Sequence, residues 1–352
     1  MRIYFDVTKT SRQGHASGIR RTAQRLGDEL VRSLGDRLRP VVWNGRRGLL
    51  TTASGREVAR PDADDWFLTV EPFAPGERSG YERFLKDRPC RFAAVFHDAI
   101  PMRYPEFTWP RSVARFPAYL KMLSRFDQLF AVSAASVEEI RSYLTWLNTG
   151  PLPPISPMHP GADFLDCDRP ESPRLHGSSR SILVVGILEP RKNQALILEA
   201  CERLWSEGLV FDLDLVGRVN PHFGKPLVSE IRRLRRLGRP VSHSARVRDE
   251  DLRALLHSCR FLVFPSRAEG CGLPVLEALW MGTPSLCSAL PSHRESAKGG
   301  GVFLVEGNGS DAWVSALRTH LQDDGAVECL AQEARARTLP TWSATAAGIL
   351  QS

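Results

Sequence analysis

Residues 181–188, Ser-Ile-Leu-Val-Val-Gly-Ile-Leu, constrain this chain more than any other stretch. A near-continuous apolar run of that length suits a strand buried on both faces, and such strands belong to parallel sheets covered by helices. The neighbouring sequence alternates accordingly. Downstream, helical spacing over 195–205 precedes a strand over 211–216 that ends at Gly217. Helices follow at 227–237 and 249–258, a strand at 261–264, a helix at 274–281 and a strand at 283–287. Upstream, strands at 3–7, 40–43, 91–97 and 128–133 alternate with helices at 18–34, 111–124 and 136–146. Both halves therefore predict an α/β chain built from two doubly wound sheets. A Pro/Gly-rich break from Asn148 to Gly161 and a polar segment at 167–179 separate them, which puts a first domain at 1–170 and a second at 171–341. Thr341 is positioned to cap a last helix at 342–350.

A chain of 352 residues exceeds one ordinary core and suits two domains of ~150–180 residues. The formal net charge of +7 comes from arginines spread over both halves and favours anionic partners. No Lys/Arg-rich run with interleaved aromatics occurs, so nucleic acid is not expected as a partner. Peripheral contact with an anionic membrane stays open, with Arg232, Arg233, Arg235 and Arg236 on one basic helix. The seven cysteines (Cys90, Cys167, Cys201, Cys259, Cys271, Cys287 and Cys329) are odd in number, far apart and without a CxxC pair. They imply neither a zinc site nor a disulfide framework, and fit a reducing, cytoplasmic setting. The opening MRIYFDVTKTSRQG reads as a strand, not a signal peptide, and no window reaches the ~18 apolar residues of a membrane span.

The chemistry concentrates after Phe264. A buried strand ends there, a loop containing Gly270 and Gly272 follows, and Pro274 opens a helix where proline is favoured. The backbone of Gly270, Cys271, Gly272, Leu273, Pro274 and Val275 then offers a helix N-terminus to an anion the size of a pyrophosphate. Glu277, placed in the first helical turn, would be repelled by a diphosphate, so its partner would be a hydroxyl pair such as a ribose diol. Glu269, eight positions earlier, would hold sugar hydroxyls. Each glutamate alone reads equally as a solvated loop acid or a helix-dipole partner. Arg191 and Lys192 follow the 181–188 strand and supply a fork and a point charge for phosphate oxygens; the same pair also fits a solvated loop. His97 ends a strand, where open α/β sheets take ligands, and suits hydrogen bonding at a reacting centre or a purely structural role. Gly14 and Gly18 either admit a phosphate or make an ordinary turn.

Glu269 and Glu277 together resemble the E-x7-E signature of retaining GT-B glycosyltransferases, in particular glycosyltransferase family 4 (group 1). Residues 186–193 (Gly-Ile-Leu-Glu-Pro-Arg-Lys-Asn) resemble the strand-loop in which that family grips the donor diphosphate. Gly186 and Gly217 resemble its two strand-end glycines, and Gly282-Thr-Pro284 its "GTP" stretch. In the first half Phe96-His97-Asp98, Tyr104-Pro105, Ala131-Val-Ser133 and Pro160-Gly161-Ala-Asp163 are similar as well. The family's arginine after the first glycine is here Ile187, and whether Arg191 replaces it or faces solvent stays open in the sequence.

The resemblance implies a GT-B fold, two Rossmann-like domains facing a cleft, the first for the acceptor and the second for the nucleotide-sugar donor, with the C-terminal helix at 342–352 packing back on the first. It implies a retaining transferase that moves a hexose or deoxyhexose from a nucleotide diphosphate sugar to a glycan or lipid-linked acceptor, in the cytoplasm or at the inner membrane face. His97 would lie near the transferred sugar with Glu269, Arg191 and Lys192 would stabilise the leaving diphosphate, and Arg246-Val247 would edge the nucleobase through their backbone. No cofactor or metal is implied. Asp212-Leu-Asp214 and Asp62-Ala-Asp64 have the D-x-D spacing of metal-dependent glycosyltransferases, but the first falls within a strand and the second in a loop. The competing reading is a nucleotide-sugar epimerase or hydrolase on the same fold.

Overall fold

The computed structural model describes the chain except residues 12–16, 149, 165–167, 171–174 and 308. The chain divides into two compact units, Met1–Gly161 with Thr341–Ser352, and Ala162–Pro340. In the first, the elements run β1 (Ile3–Asp6), α1 (Gly18–Leu34), β2 (Leu38–Asn44), β3 (Leu49–Thr51), β4 (Trp66–Thr69), α2 (Tyr81–Asp87), β5 (Arg91–Phe96), α3 (Ile100–Arg103), α4 (Pro110–Leu123), β6 (Gln128–Ala131), α5 (Ala134–Leu147) and β7 (Ile155–Pro157). They form a seven-stranded sheet in the order β3-β2-β1-β4-β5-β6-β7, parallel except for the β2–β3 hairpin.

The second unit runs β8 (Ser181–Val185), α6 (Gln194–Ser206), β9 (Asp212–Val216), α7 (Lys225–Arg236), β10 (Val241–Ser244), α8 (Asp249–Ser258), β11 (Phe261–Phe264), α9 (Leu273–Trp280), β12 (Ser285–Ser288), α10 (Pro291–Ala297), β13 (Val302–Val305), α11 (Ser310–Gln322) and α12 (Asp324–Ala336). Its sheet has six parallel strands in the order β10-β9-β8-β11-β12-β13. Side chains alternate across a strand, and β8 shows it: Ile182 and Val184 enter one helical layer with α6 and α11, whereas Leu183 enters the other with α8 and α9. This two-sided burial is why the 181–188 run is nearly continuous in apolar residues.

Local signals place the helices. Ser17 accepts from the Arg20 amide at 3.2 Å to start α1, whose inner face carries Ala23, Leu26, Leu30 and Leu34. Thr341 does the same for the Ala344 amide at 3.1 Å and opens α13 (Trp342–Gln351). This helix packs on α1, and its Thr345 hydroxyl donates to His159 O at 2.6 Å. The division falls at Gly161 instead of residue 170, because Ala162 N donates to Pro340 O at 2.8 Å and Phe164 lies in the second core. Among the described residues no helix is long and apolar enough to cross a membrane.

Candidate active site

In each sheet the first strand feeds neighbours on one side, and the chain then returns to the other side. The two reversal points fall between β1 and β4 and between β8 and β11. Loops leaving the carboxyl ends of such strands diverge, and ligands bind in the crevice they leave.

The loops after β8 and β11 are tied together by charge. Lys192 Nζ donates to Glu269 Oε1 at 2.5 Å, and Arg191 Nη1 approaches the same oxygen at 3.0 Å. Arg191 also pairs with Glu189 at 2.9 Å and donates to Ala268 O at 2.9 Å. The backbone joins in, Arg267 N donating to Arg191 O at 2.8 Å. Arg191 therefore does not face solvent; its side chain is 18 % exposed and that of Lys192 11 %. Burial opposes ionisation of Glu269, but the Lys192 and Arg191 charges outweigh it and bring the carboxyl down to about 2. Burial, with Arg191 beside it, pushes the Lys192 ammonium below its ordinary value, and Glu269 only partly restores it. The ammonium also lies 4.5 Å from the centre of the Phe264 ring, a cation–π distance.

Glycines make the close approaches here. A side chain on Gly217 would place its Cβ 2.0 Å from Gly186 O, so the end of β9 approaches that of β8 only because Gly217 has none. The Lys192 stem runs alongside Gly186, where a Cβ would meet it at 3.4 Å, an ordinary contact.

The loop from Arg267 delivers Gly270, Cys271 and Gly272 to α9. Two expectations change. The helix begins at Leu273, so Pro274 is its second residue and the buried Glu277 its fifth, one position deeper than the sequence suggests and at the start of the second turn. Val275 N already donates to Gly272 O at 2.9 Å and its side chain is fully buried, so neither its amide nor Pro274, which has no N–H, serves an anion. The positive end of the helix dipole remains. Arg246 is exposed and Val247 half-buried in the segment between β10 and α8, at the carboxyl edge of the same sheet.

In the first unit His97 follows β5, and Ser136 Oγ donates to its carbonyl at 2.9 Å. Its ring Nε2 lies 2.9 Å from Val70 O; a carbonyl only accepts, so Nε2 carries the proton and Nδ1 keeps a lone pair. Burial holds the ring below the usual histidine range, so it is neutral at pH 7. Gly18 is the exposed first residue of α1; Gly14 lies outside the described residues.

The sequence reading missed two groups. Arg78, buried, donates to Asp6 Oδ2 at 2.7 Å and to Glu71 Oε2 at 2.8 Å, at the first sheet's reversal point. Glu71 in turn accepts from Lys9 N at 2.7 Å and Thr10 N at 2.6 Å. The signal was the single apolar-strand acid Asp6, whose partner sits 72 residues away. The second is His293 of α10, fully buried against Phe264, with Nδ1 donating to Ser288 O at 2.7 Å. A Cβ on Gly272 would lie 3.4 Å from its Nε2, so this ring backs the loop that leads into α9.

Both D-x-D triplets sit at amino ends of strands, away from these edges. Asp214 accepts from the Ser181 hydroxyl at 2.6 Å and the Ser242 hydroxyl at 2.5 Å, and Asp65 accepts from Arg2 N at 2.6 Å. On α7, Arg233 is spent on Glu202 and Glu230, while Arg232 and Arg236 are exposed.

Residues 168–337 match the family described as Glycosyl transferases group 1. Among characterised proteins, the chain is 31% identical over 218 residues to the serotype-specific mannosyltransferase WbdA of Escherichia coli, an alignment covering 58% of this chain and 26% of that protein. It is 33% identical over 142 residues to the O-antigen chain mannosyltransferase B of Escherichia coli, covering 40% and 37%. The chain thus spans only 26% of the length of WbdA. Among solved structures, sucrose-phosphate synthase from Thermosynechococcus elongatus superposes with a TM-score of 0.73 at 16% identity, covering 100% of this chain and 98% of that one. HepE of Anabaena, solved with UDP and glucose, gives 0.70 at 15% identity over 100% and 98%. These likenesses establish the fold, two parallel-sheet Rossmann-like halves of the GT-B class.

Proposed function

We propose that the protein is a retaining, metal-independent glycosyltransferase that moves a hexose, with mannose the first candidate, from a nucleotide diphosphate sugar to a glycan acceptor. The observation that carries this reading is the meeting of Arg191, Lys192 and Glu269 at the reversal point of the second sheet, beside the N-terminus of α9. The match of residues 168–337 to group 1 glycosyl transferases supports it, as does the likeness to two mannosyltransferases.

In this reading the donor diphosphate lies at the dipole-positive start of α9, with Lys192 and Arg191 at its oxygens. Lys192 gives one of its three N–H groups to Glu269 and has the others for phosphate. The C1–O bond to the diphosphate breaks while the acceptor oxygen bonds C1 on the same face, and the acceptor proton passes to the departing phosphate oxygen. Charge builds on the diphosphate as it leaves, where fixed cations and a helix dipole stabilise it most; that removes the need for a metal ion. Glu269, held ionised by its two cations, orients sugar hydroxyls as an acceptor of hydrogen bonds. Glu277 takes the ribose diol, and the Nδ1 lone pair of neutral His97 accepts from a hydroxyl of the transferred sugar.

Purified protein would be incubated with GDP-mannose, UDP-glucose or UDP-N-acetylglucosamine, with and without manno-oligosaccharide, following nucleoside diphosphate release and product anomer by NMR. Acceptor-dependent release with retention is expected. Release of free sugar at the same rate without acceptor would make the protein a hydrolase instead.

A further inference from the structure

His293 is a buried side chain with only half of its polar atoms satisfied. It lies in α10 with no exposed surface, and its Nδ1 donates to Ser288 O at 2.7 Å. That bond fixes the tautomer. Nε2 therefore keeps a lone pair, which has no hydrogen-bond partner among the described residues. A side chain needed only to fill space would not bring a bare acceptor into a dry place, where leaving it unpaired is costly.

The ring faces the underside of the candidate diphosphate site. A Cβ on Gly272, the residue before α9, would lie 3.4 Å from Nε2, so the imidazole reaches the backbone of the loop itself. Two hydroxyls hold the same loop from that side: Ser292 Oγ donates to Glu269 O at 3.3 Å and Ser288 Oγ to Ser266 O at 2.5 Å. The imidazole and Lys192 also share Phe264, whose ring centre is 5.3 Å from the imidazole centre and 4.5 Å from the ammonium.

Charge gives the lone pair a use. As the site stands, Arg191 and Lys192 face the carboxylates Glu189 and Glu269, and the cluster is balanced. A nucleotide sugar adds a diphosphate with both phosphates ionised, which a balanced cluster does not offset. His293 is a neutral group beside it that can gain a positive charge near pH 7. Burial holds the empty-site ring below the usual histidine range; Glu269 and the Ser288 carbonyl pull it up, and Lys192 pushes it down. Other titratable groups on the surrounding elements are few. Cys287 of β12 is a thiol that burial pushes up, and Glu277 belongs to α9. On α10 itself Arg294 turns out to Glu306, after β13, at 2.8 Å, and Glu295 and Lys298 follow.

We infer that His293 completes the diphosphate site by taking up a proton from solvent at Nε2 when the donor binds, which places a third positive charge behind the loop. The inference rests on the glycosyl-transfer reading for its ligand. The sign follows from linkage. A ring that holds its proton more tightly in the complex strengthens binding as pH falls, about tenfold for each unit of the difference, until the free ring is protonated too.

Calorimetric titration of GDP-mannose, UDP-glucose and UDP-N-acetylglucosamine between about pH 8 and pH 5.5, each in two buffers of different ionisation enthalpy, counts the proton. The phosphodiesters of these probes do not titrate in that range. Wild type should take up about half a proton or more per donor near pH 6.5, and bind about tenfold more tightly at pH 6 than at pH 8. His293→Asn keeps a donor for Ser288 O but has no Nε2, and should show neither effect. His97 is common to both proteins, so their difference belongs to His293. A purely structural role would weaken His293→Asn equally at every pH. Should that variant not fold, nitrogen-15 NMR of the wild-type histidines reads the same event, one Nε2 passing from unprotonated to protonated on addition of donor. Donor binding with no proton uptake, or with equal uptake in His293→Asn, overturns the inference and leaves the proposed function standing. Failure of every nucleotide sugar to bind at any pH sinks the proposed function, and the inference with it.

Discussion

At the reversal point of the first sheet one guanidinium, Arg78, is shared by two carboxylates, Asp6 and Glu71; at that of the second, Lys192 and Arg191 share a single carboxylate oxygen of Glu269. Topology is alike in the two places, and sequence sets the sign. The first cluster is acid-rich and spends its carboxylates on loop amides, Lys9 N and Thr10 N among them. The second is cation-rich and faces the dipole-positive start of α9. Acidity shows the same contrast. Burial, with Asp6 next to it, pushes the Glu71 carboxyl above its ordinary value, whereas Glu269 drops to about 2. A parallel sheet thus provides a place for a ligand, and a few side chains set the charge at that place.

That contrast breaks most visibly at Arg78. Arg78→Met leaves two buried carboxylates facing each other, and about 3–5 kcal/mol of stability should be lost in denaturant unfolding. Asp6→Asn combined with it should recover part of the loss. A loss under about 1 kcal/mol would mean that the triad does not hold the first edge together. In the second cluster the cost falls on chemistry. Lys192→Met should lower kcat/KM by about 10²–10³-fold, measured by steady-state kinetics, with a smaller stability loss than Arg78→Met in calorimetry because Arg191 still pairs with Glu269. Glu277→Ala should weaken both the nucleoside and its diphosphate, by about tenfold, because the lost partner is ribose; weakening confined to the diphosphate would refute that role. The smallest effect is on pH dependence. The folded Glu269 carboxyl sits below its ordinary 4.5, so its contribution is complete above pH 4.5 and fades as pH falls toward 2. That predicts about 0.6 kcal/mol lost between pH 5 and 4, absent in Glu269→Gln. Glu71 works oppositely, since its raised value means that acidification first relieves the first unit. Hydrogen exchange at the two edges separates these signs.

The sequence showed the second unit more clearly than the first. Helix Asp249–Ser258 and strand Phe261–Phe264 begin and end where periodicity places them. Four-residue strands were harder. Trp66–Thr69 sits between an acidic turn and Glu71-Pro72, and Val241–Ser244 alternates with polar residues because it is an edge strand. The region from Pro291 to Ala336 was not assigned, although Trp313, Leu317 and Leu321 recur every fourth residue on the buried side of α11. At the candidate site, residue types were legible, because a glycine loop before a helix and cations after a strand are local patterns. Partners were not. Lys192 and Glu269 are 77 residues apart, Arg78 and Asp6 72, and only the sheet order brings them together. The one-residue misplacement of Glu277 has a local cause: Gly272, at φ 81°, caps a helix that starts one residue before the proline that seemed to open it.

The central claim is that the α9 end, with Lys192 and Arg191, receives a diphosphate. Calorimetric titration of GDP and of guanosine into the wild type and Lys192→Met, with UDP and uridine alongside, tests it most directly. At least one diphosphate should bind about 100-fold or more tightly than its parent nucleoside, and Lys192→Met should lose most of that preference while still binding the nucleoside. A diphosphate preference that survives intact in Lys192→Met would contradict the account.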